Sequence, residues 1–349
     1  MSRKSFIGCM IVLSFLSLEA RAADVAKSSE KVRKFDFTYQ ITLKNLPGNA
    51  QRVRVWIPVA SSDANQTVVL KEARGPAHLR ATRVPQFGDR LMYAEILHPK
   101  SPTAEFTLAY EITRKEYSKG NFQSLMKYNG ADPLPKDIAF YLLPNHLVPV
   151  DGKIKTLADE NTRGVQGPVE KAHALYDFVF HALRYDKSGT GWGRGDALWA
   201  CDAKHGNCTD FHSLFISLAR AEQIPARFDI GFPLPDGTHK GMVPGYHCWA
   251  EFWVEGAGWV PVDISEAWQT PAKHDYFFGT IDANRVQFST GRDLTLVPKQ
   301  DGPPLNYLVY PYVEVDGKPF DQMERKFSFH DRAAGPSGSV PRPRSNSSQ

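Results

Sequence analysis

The chain has 349 residues, of which 42% are hydrophobic and 23% are charged, and its formal net charge is +4. This composition is typical of a globular protein, and the length suits two domains with sizeable cores. Basic and acidic residues are interspersed, without the basic runs and interleaved aromatic residues of nucleic-acid binders. We therefore expect no nucleic-acid partner.

The N-terminal segment has the three parts of a secretory signal. Arg3 and Lys4 precede an apolar run over residues 6–18, and Ala20-Arg21-Ala22 follows, with a small residue on either side of the arginine. This pattern predicts a signal peptide over residues 1–22, cleaved near Ala22, and a periplasmic or secreted protein. The run is too short to span a bilayer comfortably and no later segment is longer, so we expect no membrane-spanning helix.

A β domain is predicted over residues 23–118, because short runs of strand-forming residues alternate there with turn residues. This regular spacing is typical of a β-sandwich. A connector with several prolines follows at 119–160, then a catalytic domain at 161–330, and a disordered tail rich in Gly, Pro and Ser at 331–349. The predicted strands of the β domain lie at 34–43, 53–58, 67–72, 90–96 and 104–114.

One cysteine stands at the predicted start of a helix. Asn207 is a favourable N-cap residue, and an apolar stripe at helical spacing runs from Phe211 to Leu218. The pattern ends near Glu222, before Ile224 and Pro225. Cys208 thus lies beside free backbone N–H groups, whose partial positive charge favours a thiolate and could hold an oxyanion.

Two strand motifs follow this helix, with histidine in Gly245-Tyr-His-Cys-Trp-Ala-Glu251 and aspartate in Gly258-Trp-Val-Pro-Val-Asp263. Together with Gly-x-Cys-x-Asp and Ile-Pro-Ala-Arg, they resemble the core of the transglutaminase-like superfamily, strongly over residues 195–266. The resemblance implies an α+β, papain-like fold with a nucleophile helix on an antiparallel sheet and a β-sandwich ahead of it. It also implies that Cys208 is the nucleophile, His247 the general base and acid, and Asp263 the group that orients the imidazole.

Asp263 can meet His247 only if the hairpin loop between the two strands has a suitable length. A tight two-residue hairpin at Gly256 and Ala257 would put Asp263 opposite Ala250, on the face of the sheet that His247 does not share. A longer loop or a bulge is needed before the two side chains can meet.

Several other side chains are candidates for the site. Trp192, Trp199 and Tyr246 are expected to line the substrate groove, and either tryptophan could donate to an oxyanion, although the backbone N–H of Cys208 is the simpler donor. The glycine-rich loop at 189–195 lacks the Lys-Ser/Thr of a phosphate loop, so nucleotide binding is not expected.

Three cysteines remain after removal of Cys9 with the signal peptide, and an odd number in an oxidising compartment suggests one disulfide and one free thiol. We predict a bond between Cys201 and Cys248, since strand alternation puts Cys248 on the face opposite His247. A zinc site stays open as an alternative, because the spacing of six residues is that of common ligands: Cys201, His205, Cys208, His212, His247 and Cys248.

The sequence thus predicts a cysteine-dependent acyl-transfer enzyme that acts on peptide, isopeptide or glutamine-type amide bonds through a thioester. Hydrolysis is favoured over amine transfer because water is always present. We expect protein or peptide substrates, with those of the cell envelope among them, and no metal or organic cofactor. The alternatives are a non-catalytic binding or scaffold protein of the same fold, and a zinc-binding Cys/His protein.

Overall fold

The structure is a computed structural model that describes residues 31–120, 122 and 134–332. The predicted signal peptide and almost all of the predicted C-terminal tail lie outside the described residues. Within them are strands β1 (Val32–Leu43), β2 (Arg52–Val59), β3 (Gln66–Arg74), β4 (Arg80–Arg83), β5 (Arg90–Leu97), β6 (Ala104–Lys115), β7 (Tyr117–Ser118), β8 (Arg184–Tyr185), β9 (His205–Gly206), β10 (Ala226–Pro233), β11 (Lys240–Met242), β12 (His247–Val254), β13 (Gly258–Val262), β14 (Thr280–Ile281), β15 (Arg285–Thr290), β16 (Tyr312–Val315), β17 (Lys318–Pro319) and β18 (Met323–Asp331). The helices are α1 (Lys136–Ala139), α2 (Gly152–Asn161), α3 (Pro168–Ala182), α4 (Ala197–Ala203), α5 (Cys208–Ala221) and α6 (Ile264–Gln269).

The N-terminal region is built from two five-stranded sheets, ordered β11-β18-β1-β6-β3 and β17-β16-β2-β5-β4. In β1 every second side chain from Phe35 to Leu43 is buried. This alternation is the pattern of a strand with one face on a core and one towards solvent. The predicted β-sandwich ahead of the core is confirmed.

The last strands of the chain complete these two sheets. β18 pairs with β1 in an antiparallel register from Phe35 with Asp331 to Leu43 with Met323. β16 pairs in the same way with β2. The predicted domain boundaries stay predictions, but the polypeptide from 312 to 331 belongs to the sheets that residues 32–115 begin.

The central layer is an antiparallel sheet ordered β13-β12-β10-β15, with α5 packed against it. All fourteen residues of α5 are buried. Such a helix must satisfy its polar side chains internally, and it holds its N-terminus in one place. The predicted nucleophile helix on an antiparallel sheet is confirmed.

Two segments of the catalytic region lie outside the main sheets. Residues 265–268 lie in α6, whose N-cap is Asp263. Between β15 and β16, an isolated bridge joins Leu294 to Leu305. None of the helices in the described part of the chain is long and apolar enough to cross a membrane.

Candidate active site

The start of α5 is fixed by a reciprocal capping box. The Oδ1 atom of Asn207 accepts a hydrogen bond from Thr209 N at 2.9 Å, and Oδ2 of Asp210 accepts one from Asn207 N, also at 2.9 Å. The two side chains thereby satisfy backbone donors that a helix start leaves unpaired. Cys208 becomes the first helical residue, as predicted, and is 2% exposed.

The side chains of Cys208, His247 and Asp263 come together where α5 and β12 begin and β13 ends. Nε2 of His247 lies 2.7 Å from Oδ2 of Asp263, and the neighbouring Cys208 thiol contributes to raising the pKa of His247. His247 is 4% exposed and Asp263 is 0% exposed. Because Nε2 is committed to the carboxylate, Nδ1 is the ring nitrogen left to exchange a proton with the thiol.

The electrostatics of this group favour a charged pair. Burial alone would raise the pKa of the Cys208 thiol, but hydrogen bonds with Cys248 and His247 and the charge of His247 lower it well below its usual value. Burial would lower the pKa of His247, but the charge and hydrogen bond of Asp263 raise it well above its usual value. The two shifts together favour a thiolate beside an imidazolium.

Asp263 is the most heavily bonded carboxylate of the site. Its Oδ2 atom accepts a hydrogen bond from Arg285 Nη1 at 2.7 Å, and its Oδ1 atom accepts from Ser265 Oγ at 3.2 Å and Glu266 N at 3.1 Å. Burial would raise the pKa of Asp263, but the positive charges of His247 and Arg285 hold it well below its usual range. Arg285 is therefore occupied with the site's own acid.

The geometric condition on Asp263 is met by the hairpin loop. β12 and β13 pair Val254 with Gly258 and Ala250 with Val262, which leaves the three residues 255–257 in the turn. Continuing that register brings Asp263 beside Trp249, two residues from His247 and on the same face of the sheet. One additional loop residue thus decides on which face Asp263 lies.

A second histidine, His212, supports the backbone of the site. Its Nε2 accepts a hydrogen bond from Ile264 N at 3.0 Å, so its Nδ1 carries the hydrogen and donates to the carbonyl of Cys208 at 2.8 Å. Burial lowers the pKa of His212 to about 4. His212 is therefore neutral near pH 7 and ties the first turn of α5 to the start of α6.

Asp210 anchors the glycine-rich loop to the start of α5. Its carboxylate accepts hydrogen bonds from Gly193 N at 2.7 Å and Gly195 N at 3.0 Å. Gly195 has a φ of +62°, and a Cβ there would lie 2.6 Å from Ser213 Oγ, so only glycine fits. Arg292 holds the same loop by donating to the Gly195 carbonyl at 2.9 Å. In the sequence, Asp210 is visible only as the acid of the Gly-x-Cys-x-Asp motif.

The predicted disulfide between Cys201 and Cys248 is wrong, since Cys201, Cys208 and Cys248 are all free. Cys248 faces α5, where its Sγ lies 3.7 Å from His212 Nδ1 and where the nearby Cys208 thiol helps to raise its pKa. The pairing failed because alternation gives a side chain's face but not its neighbour on the adjoining helix. Among the described residues no group of three or more His, Cys, Asp or Glu is arranged to hold a metal, so the zinc alternative gains no geometric support.

The three groove candidates lie in two places. The hydroxyl of Tyr246 accepts a hydrogen bond from Asn207 Nδ2 at 3.0 Å, beside the start of α5. The indole of Trp199 lies against Gly191 of the glycine-rich loop, where a Cβ would approach its Nε1 to 2.6 Å. Trp192 is half-buried in that loop. The roles of these side chains stay predictions.

Comparison with known proteins agrees with this architecture. The model of the transglutaminase-like superfamily matches residues 155–264. An uncharacterized protein from Haemophilus influenzae is 26% identical over 368 residues, which cover 93% of this chain and 98% of that protein.

Solved structures also match this chain, to different degrees. A candidate cysteine protease from Cytophaga hutchinsonii superimposes with a TM-score of 0.60 and 16% identity, over 86% of this chain and 98% of that one. The periplasmic domain of TgpA from Pseudomonas aeruginosa matches with a TM-score of 0.35 and 17% identity, over 70% of this chain and 90% of that domain. The first likeness shows a shared fold and, with the family match, confirms the resemblance predicted from the sequence.

Proposed function

We propose that this chain, which belongs to the transglutaminase-like superfamily, is a cysteine-dependent acyl-transfer enzyme. The observation that carries the proposal is the buried chain of Cys208, His247 and Asp263, with 2.7 Å between His247 Nε2 and Asp263 Oδ2. A thiol of lowered pKa beside an imidazole that a carboxylate orients is the arrangement that nucleophilic catalysis requires.

In the proposed acylation step, Nδ1 of His247 holds the proton taken from Cys208. The thiolate attacks an amide carbonyl, and the backbone N–H of Cys208 donates to the oxyanion that forms. When the tetrahedral intermediate collapses, His247 gives its proton to the leaving amine. The product is a thioester between Cys208 Sγ and the acyl group. Asp263 stays ionised throughout and stabilises the imidazolium.

The thioester then has two possible acceptors. Water attacks it in hydrolysis, and a primary amine attacks it in transamidation, with His247 accepting the proton of the nucleophile in both cases. The acyl C–S bond then breaks, which releases the acid or the new amide and returns Cys208 as the thiolate beside the imidazolium. We favour hydrolysis, because water is always present whereas an amine must be bound. The proposed substrates are peptide, isopeptide or glutamine-type amides of proteins in the periplasm or outside the cell, in keeping with the predicted signal peptide.

The test follows the acyl-enzyme directly. The full chain is incubated with a linear peptide, an isopeptide and a glutamine peptide, each with and without a primary amine, and the products and the Cys208 peptide are followed by mass spectrometry. We expect turnover of at least one class and a thioester on Cys208. Cys201→Ala, which removes another buried thiol, should keep the activity that Cys208→Ala loses. Turnover that survives Cys208→Ala would overturn the proposal.

One observation favours the non-catalytic alternative. Cys208 and His247 are 2% and 4% exposed, so the reacting atoms are almost closed to solvent. A scaffold protein needs no access to them, whereas a substrate must displace part of the covering chain. If none of the three peptide classes acylates Cys208, the scaffold function is the better account.

A further inference from the structure

A cavity of about 480 Å³ lies away from the candidate active site, between the β-sandwich and the central sheet. It is lined at one side by Glu251 and Trp253 of β12, and Glu251 is four residues along that strand from His247. At about 3.3 Å per residue, this is roughly 13 Å from the imidazole. The opposite side is formed by the loops that contain Ser61 and Asp89.

Asp89 is buried in this wall, and one of its two carboxylate oxygens has no hydrogen-bond donor among the described residues. Its Oδ1 atom accepts a hydrogen bond from Thr290 N at 2.9 Å, whereas its buried Oδ2 atom has no hydrogen-bond donor within the described part of the chain. Asp229 accepts from Thr290 Oγ1 at 2.5 Å, and its Oδ2 atom has no hydrogen-bond donor among the described residues but lies 3.8 Å from Arg227 Nε. One threonine thus joins two carboxylates, each with a spare oxygen.

The charge of Asp89 is poorly compensated. Burial and the neighbouring charge of Asp229 together raise its pKa to about 7, against the lowering effects of the Thr290 N–H and of Arg227 and Arg83. An unpaired buried acceptor costs about 1–3 kcal/mol, and more when it is charged. The structure therefore retains an acid in this wall at a cost to stability.

The cations that line the cavity are committed to other partners. Arg227 donates from Nε to Glu251 Oε2 at 2.8 Å and lies over the Trp259 ring at 4.3 Å. Lys119 donates from Nζ to the carbonyl of Ala257 at 3.0 Å. A second unpaired acceptor lines the same cavity, since Ser61 Oγ is buried without a hydrogen-bond partner among the residues described.

We propose that this cavity binds the primary ammonium group of a ligand, with Asp89 Oδ2 and Ser61 Oγ as acceptors. The ammonium brings a positive charge that compensates the carboxylate of Asp89. Its three N–H donors can each bond a separate acceptor atom. Phe87 and Trp253 offer apolar surface to the alkyl stem. This site is independent of the acyl-transfer proposal.

Other cations fit the same wall less well. A guanidinium is best bound by both oxygens of one carboxylate, and Oδ1 of Asp89 is already taken by Thr290 N. A hard metal ion needs six or more oxygen ligands, and the described chain provides no cluster of three suitable side chains here. A neutral hydroxyl could donate to Asp89 but would leave its charge uncompensated.

The experiment measures binding of n-butylamine to the full chain by calorimetry and tryptophan fluorescence at pH 7.5, with 1-butanol as the uncharged probe of the same shape. No acyl donor is present, so the outcome does not depend on catalysis. We expect saturable binding of the amine and at least about tenfold weaker binding of the alcohol. Nα-acetyl-lysine methylamide and 1,4-diaminobutane then distinguish a polypeptide lysine from a free diamine as the natural source.

The variants locate the site. Asp89→Asn should weaken amine binding about tenfold or more, and Ser61→Ala, which removes an atom without a protein partner, about threefold. Asp137→Asn, at an exposed acid of α1, should leave binding unchanged. Equal affinity for amine and alcohol, no saturable amine binding, or unchanged affinity in both Asp89→Asn and Ser61→Ala would each overturn the proposal. If Asp89→Asn fails to fold, Ser61→Ala alone decides.

Discussion

Asp263 and Asp89 are both buried carboxylates, yet their surroundings push them in opposite directions. Asp263 has hydrogen bonds from His247, Arg285, Ser265 and a backbone N–H, and its pKa is held well below its usual range. Asp89 has one backbone donor, and its pKa is raised to about 7. Burial therefore does not set the charge of an acid, whereas the number and sign of the groups around it do.

The difference separates two kinds of site. The candidate active site holds its own counter-charges, so that Cys208 and His247 can exchange a proton in a preorganised field. The charges of Arg227 and Arg83 compensate Asp89 only in part, so we propose that a ligand supplies the remaining positive charge. Substitutions in the two regions should therefore have effects of different kind and, at one pair of positions, of opposite sign.

Loss of the nucleophile should have the largest effect. Cys208→Ala should lower acyl-transfer activity by about 10⁴-fold or more, because no thioester can form. Its thermal midpoint should stay close to that of the parent protein, since a small buried side chain is replaced by a smaller one. Steady-state assays and thermal unfolding on the same preparation check this prediction. Comparable activity in the variant would remove Cys208 from the mechanism.

Asp263→Asn should reduce both activity and stability. Asparagine leaves the buried Arg285 without its closest counter-charge, which should lower the free energy of unfolding by about 3–5 kcal/mol. It should also lower the pKa of His247 and reduce activity by about 10³–10⁴-fold. Urea unfolding and the pH profile of activity are the measurements.

Glu266→Gln is the matched control for Asp263→Asn. Its Oε1 atom lies 3.8 Å from His247 Nε2, and its side chain is partly exposed. Removal of this charge should change activity by less than about tenfold, because the charge is more distant and better solvated. A loss as large as that of Asp263→Asn would mean that the imidazole is oriented by Glu266.

The sequence was a good guide where the signal was local. The stripe from Phe211 to Leu218 and the cap at Asn207 predicted α5, which begins at Cys208 and ends at Ala221. The pattern Asp263-x-x-Glu266 is also a capping signal and could have predicted α6. Asp263 directly follows β13 and is also the N-cap of α6, so the strand motif and the capping signal overlap at one residue.

Strand pairing and side-chain contacts between distant segments could not be predicted from the sequence. β18 completes a sheet with β1 from the other end of the chain, and nothing local specifies that partner. In the same way, Cys248 contacts Cys208 rather than Cys201, because the packing of α5 on β12 decides which thiols meet. The cavity at Asp89 also arises only when distant loops meet the central sheet.

Asp210→Asn should have an intermediate effect on the active-site region. The amide keeps the shape but can accept at only one of the two atoms that now accept from Gly193 and Gly195. We expect activity to fall about 10–100-fold and the free energy of unfolding by about 1–3 kcal/mol. A larger loss of activity than of stability, measured on one sample, would indicate that the loop positions the site.

Asp89→Asn should have an effect on stability opposite to that of Asp263→Asn. The folded-state pKa of Asp89, about 7, lies above its usual value of 3.8, so the folded protein holds this proton more tightly. The free energy of unfolding of the parent protein therefore decreases as pH rises from about 4 to about 7. Asparagine does not titrate and so removes that loss. From pH 4 to pH 8, the free energy of unfolding of the variant should therefore increase by roughly 2–4 kcal/mol relative to that of the parent. If the two free energies of unfolding, measured by urea unfolding, differ by the same amount at every pH, Asp89 does not have a raised pKa in the folded protein.

The most direct test of the account is the rate of alkylation of Cys208 by iodoacetamide as a function of pH, read by mass spectrometry of the labelled peptide. Cys248 is an internal control, because it is equally buried but its thiol pKa is raised. We predict that Cys208 reacts well below pH 8, that Cys248 does not, and that His247→Ala moves the reactivity of Cys208 to higher pH. Equal, slow labelling of both thiols in the native protein and in His247→Ala would contradict an activated nucleophile.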